Sequence, residues 1–498
     1  METFRQPIIL GSLVVYLVLC VAVGIWSMRR IKSAGDFFVA GRSLGPAIIG
    51  LAIFSSTMSG FGFVGGPGLV YSTGISSLWM CVASPLGLAL GFYLVAKRIR
   101  IVAELRDTVS LPDIVAARYD SEAVRLLTAI TIILGVMAYL ATQILAMAIV
   151  LKTLLGSTAV FADVSLITCA LISTAVLLFY SVTGGIIASV YTDLVQGAVM
   201  VVAGVLVFIT AINVFDGGMQ EASAVLFADD PETIMPFGTV GVIGSIGWFF
   251  MFGLGLAGQP HVITKMMMNK NLSDNRTILP LAALGYIMTA LLWISIGLIM
   301  RSVVVAGVED PLTAPDQAAA AFLSVFAHPL LAGVVFAGLF AAIMSTADAF
   351  LNIGAAAIIH DIPRAIRGRT LDNELLWARW ATFGLCIIAT VFALYSYYIN
   401  DRLVALLGAF GWGTFAAAIV PVVLLGLNWQ RATKQAAVAA MASSLLINFV
   451  IEISDVVIPY GMPGGFLALA SSMTIFIVVS LMTPPGVLKP DIRAAMEL

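Results

Sequence analysis

The chain is a succession of long apolar segments separated by short polar ones. Stretches of about 20 apolar residues, the length at which a helix crosses a bilayer, recur from one end of the sequence to the other. Their length and number predict an all-α polytopic membrane protein with about thirteen transmembrane helices. The predicted spans are residues 8–28, 46–71, 75–96, 124–151, 162–183, 188–214, 241–259, 277–300, 330–358, 375–398, 402–427, 435–457 and 464–484.

Composition agrees with a membrane protein and excludes several functions. Of the 498 residues, 61% are hydrophobic and only 10% are charged, whereas a soluble protein carries about a quarter charged residues. The net charge of −2 and the absence of a basic run predict that nucleic acid is not a partner. The four cysteines and three histidines are scattered at unrelated spacings, which predicts neither a disulfide framework nor a zinc site. No nucleophile–base pair or phosphate loop is visible, so we do not expect an enzyme.

Basic residues predict how the chain is oriented. If the N-terminus lies outside, all but four of the 25 lysine and arginine residues fall in inner segments or at inner span ends. The exceptions are Arg5, Lys152, Arg301 and Arg402, and the outer segments are acidic. Because positive loops stay in the cytoplasm, we expect an outside N-terminus and an inside C-terminus. The location is then the plasma membrane (the inner membrane in a bacterium), with membrane lipid as a partner.

Two spans contain unusual clusters of glycine and proline. Residues 55–74 include Gly60, Gly62, Gly65, Gly66, Pro67 and Gly68, and residues 247–260 include Gly253, Gly255, Gly258 and Pro260. Glycine and proline destabilise helix interiors, so both helices are predicted to break at membrane depth.

The two breaks are five spans apart, and such a pair indicates inverted repeats with a binding site at the midplane. Residues 46–214 and 241–427 are therefore the predicted five-helix repeats. Residues 8–28 and 435–484 are peripheral, and residues 1–498 form a single transporter domain.

Polar residues interrupt the apolar stretch 336–361. At helical spacing, Ala342, Ser345 and Thr346 share one face, and Asp348 lies one turn beyond Ser345. Two hydroxyls and a carbonyl are oxygen ligands that suit a hard cation, and polar groups at membrane depth favour a functional role. The alternative is that the hydroxyls bond back to carbonyls of their own helix.

Five motifs, taken in order, resemble the sodium:solute symporter family over nearly the whole chain. They are DFFVAGRSLGP (36–46), TVSLPDIVAARYDS (108–121), GGIIASVYTDLVQG (184–197), GQPHVITKMMMNKN (258–271) and AAIMSTADAFL (341–351). The glycine-rich second span and GQPH look most similar to the proline-permease branch. The resemblance implies a leucine-transporter-type fold with a 5+5 inverted repeat, and sodium-coupled uptake of a small organic solute.

The resemblance also implies a sodium site. In the family, backbone carbonyls at the first break and hydroxyls on the eighth core helix hold the ion. Transferred to this chain by motif, the ligands are Ser55, Met58, Ala342, Ser345 and Thr346.

A second cation or proton site is implied in some members of the family. It is joined to the Asp of the aromatic-Thr-Asp motif, here Asp193, with Ser345 and Asp348 as partners. Without a cation, two such carboxylates would share a proton. The alternative is that Asp193 caps the start of its helix.

The predicted solute pocket lies between the two breaks. A solute with one carboxylate and an apolar body suits a lining of aromatic and small polar residues, because half-helix N-termini attract carboxylates. The chain differs from the proline-permease branch at Thr57, where that branch carries Asp. This difference could change both which solute is bound and the affinity for sodium. The predicted lining consists of Thr57, Ser59, Gly60, Phe61, Gln143, Trp248, Phe252 and Trp412.

Two other functions stay open on the sequence alone. A proton-coupled symporter of the same fold would use the Asp193 and Asp348 carboxylates. A solute-sensing receptor would bind without transport, but such proteins usually carry a soluble signalling domain, and about 14 residues follow the last span.

Overall fold

The fold is helical along the whole described chain. The structure is a computed structural model that describes residues 5–28, 44–57, 59–156, 158, 161–399, 403–454 and 456–497. Apart from helices, the described part contains a single isolated β-bridge between Leu44 and Asn269.

Twenty α-helices follow one another in this part of the chain. In order they are α1 (Arg5–Met28), α2 (Pro46–Thr57), α3 (Gly66–Thr73), α4 (Trp79–Gly91), α5 (Lys97–Leu105), α6 (Leu111–Tyr119), α7 (Glu122–Gly156), α8 (Leu166–Ile212), α9 (Gly218–Asp229), α10 (Gly241–Leu256), α11 (Pro260–Met266), α12 (Asn275–Val305), α13 (Ala318–Val325), α14 (Pro329–Ala356), α15 (Ile362–Arg367), α16 (Glu374–Tyr398), α17 (Val404–Val420), α18 (Lys434–Ile453), α19 (Gly464–Met482) and α20 (Pro490–Glu497). Turns of π-helix at Phe61–Gly65, Phe92–Ala96, Ala357–Asp361 and Pro421–Leu425 extend or join them.

Ten helical segments of the described chain are long and apolar enough to cross a membrane. Three shorter apolar stretches, Arg5–Leu19, Pro46–Thr57 and Leu166–Phe179, accompany them. All thirteen predicted spans lie on helical segments, but the span 46–71 covers two helices, and the spans 162–183 and 188–214 share one.

Burial separates the central helices from the peripheral ones. In the most apolar 18-residue window of each helix, 83% of residues are buried in α7 and 89% in α17, against 33% in α16, α18 and α19. A helix buried on all sides belongs to the core, whereas a helix exposed on one side faces lipid. The centre therefore contains α7 and α17, together with α14, whose segment is 78% buried, whereas α16, α18 and α19 are each exposed on one side.

Both predicted helix breaks are present. The first separates α2, which ends at Thr57, from the π turn that begins at Phe61. The second separates α10, which ends at Leu256, from α11, which Pro260 opens. Proline at the first turn of a helix costs no hydrogen bond, so Pro260 begins the new helix without strain.

The boundary predicted between the fifth and sixth spans is wrong. We predicted a short connection at residues 184–187, but the backbone is helical through all 47 residues of α8. Glycine costs an apolar helix only about 1 kcal/mol, so a glycine pair does not force a break.

Asp316 anchors the start of α17 from a short turn, Pro315–Gln317, that lies outside the candidate spans. Its Oδ2 atom accepts a hydrogen bond of 2.8 Å from the backbone N–H of Val404. The residue is 5% exposed, and its Oδ1 atom has no hydrogen-bond partner among the described residues. Burial raises the pKa of the Asp316 carboxyl to about 7, although the bond from Val404 opposes this shift.

We expect the protein to lose stability as the pH rises from about 5 to 7. Because the pKa of Asp316 is higher in the folded state than its ordinary value of 3.8, the folded state keeps a proton that the unfolded chain releases. Each pH unit in this window then lowers the free energy of unfolding by at most about 1.4 kcal/mol. Asp316→Asn keeps the acceptor and stays neutral, so it should flatten the slope. The measurement is the apparent Tm of both proteins from pH 5 to 8, and equal slopes would contradict the assignment.

Candidate functional site

The predicted sodium ligands of α2 and α14 meet at the first break. The hydroxyl oxygens of Ser55 and Ser345 are 3.2 Å apart, and Thr346 Oγ1 donates to the Ser56 carbonyl at 3.1 Å. Ser345 and Thr346 also donate to the Ala342 carbonyl, each at 3.0 Å. The hydroxyls of Ser345 and Thr346 therefore hydrogen-bond to a carbonyl of their own helix, which is the alternative given in the sequence analysis. They also contact the broken helix α2.

The donor set at this contact suits sodium. Two carbonyl and three hydroxyl oxygens converge, all on buried residues, and none carries a charge. Neutral oxygens in a flexible cluster are ligands for a hard cation of low charge. The predicted ligand Met58 lies outside the described residues.

Asp193 has a partner that the sequence analysis did not predict. The Lys265 ammonium donates to Asp193 Oδ2 at 3.0 Å and to the Ala52 carbonyl at 2.7 Å. We had placed Lys265 among the inner basic residues, whereas its side chain is fully buried in α11. The Asp193 Oδ1 atom has no hydrogen-bond partner among the described residues.

Asp348, the other acid of the predicted second site, is completely buried on α14. Its Oδ2 atom accepts from the side-chain amide of Asn352, one turn further along the helix, at 3.3 Å.

A small central pocket lies beside the first break. Its volume is about 20 Å³, which is room for about one water molecule. Four predicted residues line this pocket, namely Thr57, Phe61, Phe252 and Trp412. Phe252 stacks on Trp412 with ring centroids 4.9 Å apart, and on Phe61 at 5.5 Å.

Sequence reasoning missed three aromatic residues of this pocket, Tyr139, Tyr286 and Trp293. Tyr286, Thr289 and Trp293 recur at i, i+3 and i+7, so they share one face of α12, and this pattern could have revealed them. The Tyr286 hydroxyl is buried and makes no hydrogen bond to a described residue.

Three other predicted pocket residues support the broken backbone instead. The Gly60 N–H donates to Gln143 Oε1 at 2.7 Å, and the hydroxyl oxygens of Ser59 and Tyr139 are 3.1 Å apart. A Cβ atom at Gly60 would lie 2.7 Å from the Ala146 side chain, so a larger residue does not fit. Backbone groups freed at membrane depth need partners inside the protein, and Gln143 supplies one.

Trp248 was assigned to the solute pocket, but the structure places it elsewhere. It lines a separate cavity of about 740 Å³ together with Ser72, Thr73, Thr239 and Tyr460. Trp248 also contacts Phe252, with ring centroids 5.9 Å apart. It therefore stands between the large cavity and the aromatic wall of the central pocket.

A cluster of buried charges joins α6 to the end of α14. Asp113 Oδ1 accepts from Arg125 and from Arg364, the latter at 3.0 Å, and Asp113 Oδ2 pairs with His360 Nε2 at 3.1 Å. Ser110 donates to Asp361 Oδ1 at 2.6 Å. Burial alone would raise the pKa of Asp113, but His360, Arg125 and Arg364 together hold it below its ordinary value.

Asp113, His360 and Asp361 have donor atoms within 4.8 Å of one another, a spacing that metal sites also show. The Asp113 carboxylate oxygens already accept hydrogen bonds from two guanidinium groups and pair with an imidazole. The cluster is therefore an ion-pair network between two helices.

Residues 37–443 match the sodium:solute symporter family, and the chain belongs to this family. It is therefore a sodium-coupled solute symporter of the membrane and not an enzyme. The high-affinity proline transporter PutP of Bacillus subtilis (strain 168) is 30% identical over 484 residues, covering 93% of this chain and 96% of PutP. The osmoregulated proline transporter OpuE of the same organism is 29% identical over 489 residues, covering 95% of each chain.

Two solved structures share the fold. A sodium-coupled sialic acid symporter in a substrate-bound outward-open state aligns with a TM-score of 0.74 at 19% identity, over 97% of this chain and 99% of the other. Mhp1, a nucleobase-cation-symport-1 family transporter in a closed conformation, aligns with a TM-score of 0.56 at 14% identity, over 93% and 98%.

Proposed function

We propose that this symporter carries a small zwitterionic amino acid, proline or a close analogue, into the cell together with sodium. The observation that carries the proposal is an aromatic pocket without a charged lining side chain, directly beside the α2–α14 contact. Aromatic walls suit an apolar ring, and the Tyr286 hydroxyl can donate to a carboxylate. The Thr57 and Thr289 hydroxyls donate to backbone carbonyls, so their oxygens can accept from an amine. The description of OpuE and PutP as proline transporters supports the same solute class.

The transport cycle follows from the position of the ion site. In our proposal, outside sodium bridges α2 to α14 through Ser345 and Thr346 and favours a solute-ready, outward-open state. Its release inside lets the helices rock back. One sodium ion crossing about 100 mV contributes about 2.3 kcal/mol. A tenfold sodium gradient adds about 1.4 kcal/mol, so together they sustain a solute gradient of several hundredfold.

The membrane arrangement belongs to the same proposal. Thirteen spans with an outside N-terminus and an inside C-terminus would place α2 to α8 and α10 to α17 in two inverted five-helix repeats of a leucine-transporter-type fold. Helices α1, α18 and α19 would be peripheral. The paired breaks, one in each half, support this arrangement.

Uptake into proteoliposomes tests the solute class. We expect radiolabelled proline to accumulate in vesicles with an inward sodium gradient and not in vesicles with an inward potassium gradient. A proton gradient in the absence of sodium should not drive proline accumulation. Unlabelled proline should compete, whereas sialic acid and short monocarboxylates without an amine should not. Competition by the monocarboxylates alone would assign a small carboxylate as the solute and contradict the amino acid proposal.

Tyr286→Phe is expected to raise the KM for the solute about tenfold without lowering the yield of folded protein. The hydroxyl lines the central pocket and has no described partner, so its removal takes a hydrogen bond from the solute and none from the fold. The matched control is Tyr119→Phe, because the Tyr119 hydroxyl donates to the Val422 carbonyl at 2.9 Å. The control should lower the Tm and leave the KM unchanged. An unchanged KM in Tyr286→Phe would remove this residue from the solute site.

A further inference from the structure

The ammonium group of Lys265 is surrounded by oxygen atoms that could also bind a metal cation. Only 1% of the residue is exposed, and its ammonium bonds the Asp193 carboxylate and the Ala52 carbonyl, at 3.0 and 2.7 Å. A carboxylate and a main-chain carbonyl are also the ligands that a bound metal cation would take.

This place is next to the proposed sodium site. Ala52 lies on α2 about one turn before Ser55 and Ser56, whose oxygens face α14. Asp193 binds the same ammonium as the Ala52 carbonyl does. The ammonium therefore lies about one helical turn from the sodium ligands, in contact with the groups that a second cation would need.

Lys265 also connects the two broken helices. It belongs to α11, which begins after the second break, and it binds a carbonyl of α2, which ends at the first. The Lys265–Asp193 ion pair joins α11 to α8, and the additional bond to the Ala52 carbonyl joins α11 to α2 as well. The lysine thus contacts the same helix that the proposed sodium ion contacts.

We propose that the Lys265 ammonium acts as a tethered cation that fills the second cation position, so that the symporter binds one sodium ion. This inference rests on the sodium site of the proposed function. The Lys265 ammonium balances the Asp193 carboxylate in a buried environment, so a free cation bound to that same carboxylate would add an uncompensated positive charge. The other acid of the predicted site, Asp348, accepts from Asn352. Removal of the lysine charge leaves Asp193 buried without its counter-ion, and sodium is then the available replacement.

The experiment counts sodium ions bound to the purified full-length protein by equilibrium binding of ²²Na⁺, so no solute is needed. We expect one ion per chain, and we expect Ser345→Ala to raise the Kd for this ion roughly 10- to 100-fold. Lys265→Met should bind two ions, and the slope of its Tm against the logarithm of sodium concentration should double. Lys265→Arg, which keeps the charge, should bind one.

A double variant, Lys265→Met with Asp193→Asn, keeps the proposal testable if Lys265→Met alone does not fold. Removing both charges of a buried pair is far better tolerated than removing one. We expect the double variant to bind one ion, as the unaltered protein does. If it binds none, the pair itself holds the sodium ion and the proposal is overturned.

Two other results would also overturn the inference. They are two ions bound to the unaltered protein, and a folded Lys265→Met that binds one. If the proposed function itself is wrong, the result differs from both of these. The unaltered protein then shows no sodium binding that Ser345→Ala weakens.

Discussion

Replacing Ser345 with alanine is expected to weaken sodium binding roughly 10- to 100-fold. The Ser345 hydroxyl faces the Ser55 hydroxyl across the helix contact, and one hydrogen-bonding group on a charged partner contributes about 1.5–3 kcal/mol. The measurement is thermal unfolding of the purified protein in sodium, potassium and choline chloride at equal ionic strength. Sodium should raise the Tm of the unaltered protein selectively, because a ligand that binds only the folded state stabilises it. The variant should lose most of this increase.

Ser444→Ala is the matched control for Ser345→Ala. Ser444 is buried and donates to the Met441 carbonyl at 2.9 Å, three residues back, as Ser345 does to Ala342 at 3.0 Å. Both variants lose one back-bonded hydroxyl, and only one of them loses a proposed ion ligand. An equal sodium response in the two variants would make Ser345 a structural residue.

Replacing Asp113 with alanine is expected to destabilise the fold by roughly 3–5 kcal/mol. The carboxylate is buried and pairs with Arg125, Arg364 and His360, so its loss breaks three charged contacts at once. Glu122 and Glu374 still pair with Arg125 and His360, which limits the loss to this range. Because the pKa of Asp113 is depressed, the contribution is present above pH 3.8 and is lost only as the pH falls below that value. The measurement is the apparent Tm of the variant and of the unaltered protein at one fixed pH near neutrality, where the Asp113 carboxylate is ionised.

Asp120→Ala provides the comparison for Asp113→Ala. Asp120 follows the same helix, α6, and pairs with Lys489 at 2.7 Å, but its side chain is 67% exposed. An exposed pair of this kind contributes less than about 1 kcal/mol. If the two alanine variants lost the same stability, the Asp113 cluster would not be a buried network of compensated charges.

The large features of the fold could be predicted from the sequence because each depends on a local property. Apolar stretches of bilayer length predict the helices, and clustered glycine and proline predict both breaks. Ser345 and Thr346 stand out because hydroxyls are rare in so apolar a stretch, and helical spacing puts them on one face. In the structure, their hydroxyls lie within hydrogen-bond distance of the Ser55 hydroxyl and the Ser56 carbonyl.

The remaining features of the site depend on contacts between distant segments. Lys265 and Asp193 are 72 positions apart in the sequence, and the residues around each of them do not indicate that the two side chains form an ion pair. Trp248 and Phe252 lie one turn apart on α10, yet they line different cavities because their neighbours differ. The charge of Lys265 indicated an inner loop, and only the packed structure shows that the lysine is buried.

The small volume of the central pocket has a consequence for how affinities are interpreted. Room for about one water molecule cannot receive an amino acid, so the protein must rearrange before or while it binds its solute. The apparent Kd is then the intrinsic Kd divided by the fraction of molecules in the competent conformation. Affinity in this protein is therefore tuned as much by the population of the open state as by the residues that line the pocket.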